Sequence, residues 1–70
     1  MIEWIVVDHA RVRDVFVDGI RSGQTNQLIA VSQGTHRFDL GEPVNYKPRF
    51  RNIAVTGTTR LVPCVIPFQA

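Results

Sequence analysis

The side chains best suited to nucleophilic catalysis in this sequence are Cys64 and His36. A thiolate beside a histidine base can attack a substrate, provided that a third group orients the histidine. Cys64 lies in an apolar run near the end of the chain, and a free cysteine is among the most buried residue types. His36 alternates with Phe38 and Leu40, as in a strand with one packed face. We therefore predict a core thiol and a packed, hydrogen-bonded histidine, and we predict no enzyme activity.

The sequence does not predict a metal or cofactor site. His9, His36 and Cys64 are scattered along the chain and show none of the paired spacing that zinc ligands have. The segment from Gly19 to Thr25 faintly resembles a phosphate-binding loop, but it lacks the lysine and the spacing, and it lies in a predicted hairpin. We read its glycines as turn residues and predict no cofactor.

A cluster of cationic and aromatic residues is the one pattern that favours nucleic-acid binding. Small β-barrels bind single strands by stacking bases on aromatic rings beside arginines. The cluster consists of Tyr46, Lys47, Arg49, Phe50 and Arg51. The net charge is only +2, and six carboxylates are spread along the chain without any polybasic block. Nucleic acid is therefore an unlikely partner by the basic-patch criterion, and single-strand binding is the alternative function.

The clearest local signal is Asp18-Gly19 between apolar residues, which predicts a tight hairpin with a type I′ turn. Glycine adopts the positive φ that this turn needs without a Cβ clash. In the strand before the turn, Val15 and Val17 share a face, which we predict to be the core face. Phe16 lies on the opposite face, where we expect it to be partly exposed or covered by a loop.

The remaining patterns predict an all-β fold in a single domain over residues 1–70. No segment has a sustained helical period, and short apolar runs alternate with glycine or proline breaks. The number of predicted strands and their regular spacing favour a small antiparallel Greek-key β-sandwich of about six to seven short strands. Its last strands are predicted at 49–56 and 59–66. Pro63 and Pro67 place the final one at a sheet edge.

The order of these signals resembles the PEGA domain, a bacterial β-sandwich module of about this length. The matching segments are Val15-Phe16-Val17-Asp18-Gly19, Gly23-Gln24-Thr25, Gln33-Gly34-Thr35-His36, Asn45-Tyr46-Lys47 and Thr56-Gly57-Thr58-Thr59. The signature Pro-Glu-Gly-Ala is absent, since residues 9–14 read His-Ala-Arg-Val-Arg-Asp. The resemblance implies a non-catalytic module of larger, often surface-associated proteins, and it implies no catalytic residues.

The first strand, residues 2–7, is apolar on both faces, which is typical of a strand covered on both sides. A 70-residue chain with one cysteine has a small core and no disulfide. We therefore predict that one face of this strand packs in the core and that the other is covered by another copy of the chain or by another protein. The interface candidates are Ile2, Trp4, Ile5 and Val7. The alternative is a frayed terminus with one loosely packed side.

The N-terminus gives an expectation about location. Glu3 follows the start directly, so no signal peptide is recognised, and the apolar run after it is too short to span a bilayer. We expect no membrane insertion. A cytoplasmic location is expected if Met1 is the native start, and the sequence leaves the location open otherwise.

Overall fold

The structure is a computed structural model that describes residues 1–70, and it confirms the all-β prediction. It contains seven strands and no helix. The strands are β1 (Ile2–Asp8), β2 (Asp14–Val17), β3 (Ile20–Gln24), β4 (Leu28–Ser32), β5 (Gly34–Asp39), β6 (Arg51–Val55) and β7 (Cys64–Pro67). The predicted strand at 59–66 is thus shorter than expected, because residues 56–63 form a loop and only the residues from Cys64 onward pair with a neighbour.

The strands form two sheets that pack as a small sandwich. One is a three-stranded sheet with the order β4-β1-β7, and the other is a four-stranded sheet with the order β3-β2-β5-β6. After the β2–β3 hairpin the chain crosses to the other sheet to form β4. It then returns to place β5 on the free side of β2. This path follows the order of a Greek key divided between two sheets.

The direction of the last strand differs from the antiparallel prediction. Four of the five pairings are antiparallel. The exception is β7, which runs parallel to β1 with Cys64 opposite Ile5. A parallel pair needs a long connection between its strands, and here nearly the whole chain lies between them. Pro67 ends β7 at the edge of the three-stranded sheet, so the predicted edge position is confirmed.

The Asp18-Gly19 turn forms as predicted, with φ of 52° at Asp18 and 82° at Gly19. These positive angles are those of a type I′ hairpin turn. Val15 and Val17 point into the core, whereas Phe16 lies on the outer side beneath the loop after β5. A Cβ at Gly41 would lie 2.6 Å from the Phe16 ring, so only glycine lets the loop cover that ring.

The core lies between the two sheets and is built from the inward residues of nearly every strand. Its members are Ile5, Val7, Val15, Val17, Ile29, Val31, Phe38, Leu40, Tyr46, Val55, Ile66 and Phe68. The radius of gyration is 11.0 Å, and a folded domain of this length is expected to have about 11 Å. The solvent-accessible surface is 4461 Å², close to the roughly 4400 Å² expected for this mass. The sandwich interior therefore closes within one chain.

Candidate interaction surface

The strand β1 has one face in the core and one face outside. Glu3, Ile5 and Val7 point inward, and Ile5 and Val7 are 0% exposed. Both were interface candidates, and that assignment is wrong, because neither side chain can reach a partner unless the sandwich opens. The other two candidates, Ile2 and Trp4, point outward. The inner face of β1 is covered by the chain itself, so only its outer face is left for a partner.

The outer face of β1 continues onto both neighbouring strands. Trp4 lies opposite Ala30 of β4, and Val6 lies between Leu28 of β4 and Val65 of β7. Leu28 is 42% exposed and Val65 is 60% exposed. We call this surface the outer apolar face. It consists of Ile2, Trp4, Val6, Leu28, Ala30 and Val65.

The loop at 56–63 borders the outer apolar face. The Arg60 guanidinium lies 4.9 Å from the centre of the Trp4 ring, within the range of a cation–π contact. A tight turn supports this loop: the Thr59 N–H donates to the Val62 carbonyl at 3.1 Å, and the Val62 N–H donates to Thr59 Oγ1 at 2.9 Å. Leu61 at the tip of the turn is 93% exposed. The loop therefore presents a further apolar side chain at the border of this surface.

Glu3 fixes that loop from inside the sandwich. Its carboxylate accepts hydrogen bonds from the Thr58 hydroxyl at 2.6 Å and from the Thr58 backbone N–H at 2.8 Å. The hydroxyl bond is the main reason why the pKa of Glu3 is lowered from its ordinary value. Thr58 Oγ1 also accepts from the Trp4 N–H at 2.7 Å. One threonine thus connects the loop to two successive residues of β1.

A serine, a histidine and an aspartate meet at the hairpin turn, and the sequence patterns did not bring them together. His36 Nδ1 lies 2.6 Å from Asp18 Oδ2, and His36 Nε2 lies 3.2 Å from Ser32 Oγ. This order resembles that of a serine-hydrolase triad. Asp18 and His36 become neighbours because β5 pairs with β2. The only signals in the sequence were the Asp18-Gly19 hairpin turn and, later in the chain, the alternating strand that contains His36.

The cluster is built to hold charge rather than to remove a proton from serine. His36 Nε2 lies only 2.7 Å from the Ser32 carbonyl oxygen, which accepts a hydrogen bond and cannot donate one. Asp18 lies on the other ring nitrogen, so both nitrogens can donate at once only when the ring is protonated. The Asp18 bond, followed by the Ser32 carbonyl, raises the pKa of His36. In its protonated form the ring cannot take a proton from Ser32.

The clefts on the surface lie elsewhere. None of the three clefts is lined by His36 or Cys64, and no hydrogen bond joins these two residues. His36 is hydrogen-bonded beside Phe38, as predicted, whereas Cys64 is half-buried and packs against the core cluster without belonging to it, so the predicted core thiol is less buried than expected. The structure contains no group of three or more His, Cys, Asp or Glu side chains that could hold a metal ion.

The predicted cationic and aromatic cluster does not form a single surface. Tyr46 is buried in the core, where its ring packs edge-on against Phe68 and its hydroxyl donates to the Gly41 carbonyl at 3.0 Å. The expectation that Tyr46 offers its ring to a base is therefore wrong. Arg51 is half-buried and donates to the Pro67 carbonyl at 3.2 Å.

The other members of the cluster, Lys47, Arg49 and Phe50, are exposed. The Arg37 guanidinium already lies 4.4 Å from the centre of the Phe50 ring. Arg49 lines a cleft of about 170 Å³, but Asp39 and Glu42 line the same cleft. The charge of this surface is therefore mixed.

Comparison with protein-family models, with curated proteins and with solved structures gave no match. The resemblance to the PEGA domain therefore stays a prediction. No helix of the structure is long and apolar enough to cross a membrane.

Proposed function

We propose that this chain is a non-catalytic β-sandwich module that binds protein, either a second copy of itself or another protein, through the outer apolar face. The observation that carries the proposal is a continuous apolar surface on three adjacent strands, on which Ile2, Leu28, Ala30 and Val65 are exposed and Trp4 and Val6 are half-buried. Large exposed apolar patches on soluble proteins mark contact sites. The PEGA resemblance implies the same kind of module, although the family comparison does not support it.

The opposite side of the sandwich strengthens this choice by contrast. The outward residues of the four-stranded sheet are mainly polar or charged and include an Arg21–Asp14 ion pair of 3.1 Å. They are Asp14, Phe16, Arg21, Thr35, Arg37, Asp39, Asn52 and Ala54. One sheet therefore has the polar outer face of a solvated antiparallel sheet, and the other does not.

The dimensions of the molecule fit contact through one face. A standard interface buries about 800 Å² on each partner. That area is less than a fifth of the 4461 Å² surface of this chain, so one side of the sandwich can supply it. Trp4 lies on the central strand of this surface, and buried aromatic anchors near the centre of an interface carry a large share of binding energy.

The test is sedimentation equilibrium from low micromolar to millimolar protein. We expect the wild-type chain to self-associate and Val65→Glu to weaken association at least tenfold, because a carboxylate would be buried without a partner. Val65 is exposed on an edge strand, so the variant keeps its core. Thr35→Glu on the outer face of the other sheet is the control. Equal association of the two variants would contradict the proposal.

Binding of single-stranded nucleic acid is the alternative function, and its support is the exposed group of Lys47, Arg49 and Phe50. Fluorescence anisotropy with labelled single-stranded DNA or RNA at low salt tests it. Salt-sensitive binding that weakens in Arg49→Ala would favour the alternative, because phosphate contacts release counterions. No binding at high-micromolar protein would contradict the alternative.

A further inference from the structure

The two sheets have four edge strands, and β4 alone lacks the features that block pairing with another chain. Charges and proline on edge strands discourage such pairing, and glycine weakens a strand. Arg21 and Gly23 lie in β3, Arg51 lies in β6, and Pro67 ends β7. The sequence of β4 is Leu-Ile-Ala-Val-Ser, and no Asp, Glu, Lys or Arg occurs between residues 22 and 35.

The backbone groups that β4 leaves free can be identified from its pairing with β1. The Gln33 N–H donates to the Met1 carbonyl at 2.9 Å, one pair beyond the end of the β1–β4 ladder. Hydrogen-bonded pairs alternate with non-bonded pairs along an antiparallel ladder. Val31 and Ile29 therefore bond to β1, whereas the N–H and C=O groups of Ala30 and Leu28 point away from it.

We propose that β4 pairs antiparallel with the β4 strand of a second copy of this chain, on a two-fold axis at Ile29. Leu28 then lies opposite the partner's Ala30, and Ala30 lies opposite the partner's Leu28. Each pair exchanges two N–H···O=C hydrogen bonds. The two three-stranded sheets become one six-stranded sheet, and the edge of each copy is covered by the other.

The free groups also determine this register. The Ser32 carbonyl lies 2.7 Å from His36 Nε2, and the Asn26 N–H donates to the Val7 carbonyl at 2.8 Å. Both ends of β4 are thus already engaged. A register centred on Ala30 would need the Ser32 carbonyl, whereas the register centred on Ile29 uses only Leu28 and Ala30.

A second copy fits this edge because a two-fold axis places identical segments against each other. Like charges directly opposite in a sheet destabilise it, and β4 has no charge to repel itself. Leu28 and Ala30 also belong to the outer apolar face, so that face would continue across the new pairing without a polar break. The proposal goes beyond the proposed function, because it uses a strand edge and holds whether or not the face binds a partner.

The test uses Ala30→Pro, with Ala54→Pro as a matched control on the other sheet. The Asp18 N–H donates to the Arg37 carbonyl at 2.8 Å, so the backbone groups of Arg37 point toward β2 and those of His36 point toward β6. His36 pairs with Ile53, so Ile53 bonds to β5 and the N–H of the next residue, Ala54, points to the free edge of β6. Each proline therefore removes one free N–H from an edge strand. By sedimentation equilibrium up to millimolar protein, we expect Ala30→Pro to weaken dimerisation at least tenfold and Ala54→Pro to leave it unchanged.

Cysteine cross-linking keeps the proposal testable if Ala30→Pro fails to fold. In a Cys64→Ala background, Leu28→Cys and Ala30→Cys proteins are mixed in a glutathione redox buffer. A hydrogen-bonded pair has Cα atoms about 5.5 Å apart, within disulfide range, whereas the diagonal distance between the two Ala30 positions is about 7–8 Å. We expect the mixed disulfide to predominate. A predominant Ala30→Cys homodimer, or no cross-link, would overturn the proposal.

Comparison of Val65→Glu with Ala30→Pro distinguishes binding through the outer apolar face from pairing along the β4 edge. Loss of association in Val65→Glu with no effect of Ala30→Pro would overturn edge pairing and leave the proposed function standing. The reverse result would support edge pairing and count against the outer apolar face. A wild-type chain that stays monomeric at millimolar concentration would overturn edge pairing as well.

Discussion

His36 Nδ1 lies 2.6 Å from Asp18 Oδ2, and this contact joins the hairpin turn to β5. The other ring nitrogen, Nε2, donates to the Ser32 carbonyl at 2.7 Å. Ser32 ends β4 in the three-stranded sheet, whereas β5 belongs to the four-stranded sheet. One histidine ring therefore connects the turn to both sheets at one end of the sandwich.

The first prediction is that stability falls as pH rises through the folded pKa of His36. Its pKa is raised above the ordinary value of 6.5, mainly by the Asp18 bond, so the folded state holds this proton more tightly than the unfolded chain. The stabilisation is complete below about pH 6.5 and is lost above it. Urea unfolding between pH 5 and 9 measures the change, and NMR titration of the ring measures the pKa.

The control is His36→Gln, which keeps a polar side chain but does not titrate. We expect the fall in stability near neutral pH to disappear in this variant. On the acid side, the Arg37 N–H and then His36 lower the pKa of Asp18 below 3.8. The contribution of Asp18 is therefore present above that value and is lost as pH falls further. An identical neutral-pH profile for wild type and His36→Gln would contradict the assignment.

The second prediction concerns Arg13, whose guanidinium holds the loop between β5 and β6. It donates to Asn45 Oδ1 and to the Pro43 carbonyl, the latter at 2.8 Å, and it lies 5.1 Å from the centre of the Tyr46 ring. Lysine keeps the charge but lacks the planar fork that makes these contacts together. We expect Arg13→Lys to lower the free energy of unfolding by about 1–2 kcal/mol.

Arg11→Lys is the matched control, because Arg11 is exposed and only its backbone makes hydrogen bonds. Urea unfolding of both variants at one pH distinguishes the loss of the Arg13 guanidinium contacts from a general effect of replacing arginine with lysine. Equal stability of Arg11→Lys and Arg13→Lys would show that the guanidinium does not hold the loop.

Sequence reasoning succeeded where neighbouring residues decide the structure. The Asp18-Gly19 turn needs positive φ at two adjacent positions, and those residue types are visible in the chain. The inward direction of Val15 and Val17 agrees with the alternation that places them opposite the face of Asp14, Phe16 and Asp18. Phe16 was predicted to be partly exposed or covered by a loop, and the structure shows which loop covers it, the one at Gly41.

Sequence reasoning failed where contacts between residues distant in the chain determine which side chains are buried and how a strand runs. Both faces of β1 are apolar, so alternation shows that Ile5 and Trp4 point to opposite sides but not which side is inward. Glu3 makes the inward face look polar, and the reason it is tolerated there is Thr58, which is 55 residues away. The parallel direction of β7 and the burial of Tyr46 depend in the same way on contacts between segments distant in sequence.

The third prediction tests that long-range contact through Thr58→Val. Valine has the shape of threonine but no hydroxyl, so the Glu3 carboxylate loses its shortest hydrogen bond and the Trp4 N–H loses its acceptor. Buried polar groups left without partners are strongly destabilising. We expect thermal unfolding by circular dichroism to show a Tm lower by several degrees. The loop that carries Arg60 should loosen from Trp4 at the same time, which Trp4 fluorescence reports.

Thr58→Ser is the control, because serine keeps the hydroxyl that donates to Glu3 and accepts from Trp4. We expect its Tm to lie much closer to that of wild type than the Tm of Thr58→Val does. The Thr58 bonds lower the pKa of Glu3, so the wild-type advantage is present above about pH 4.5 and is lost as the pH falls through the folded pKa of Glu3. A difference between Thr58→Val and wild type that persisted unchanged at pH 2 would assign the effect of Thr58 to packing and to its bond with the Trp4 N–H rather than to its bond with Glu3.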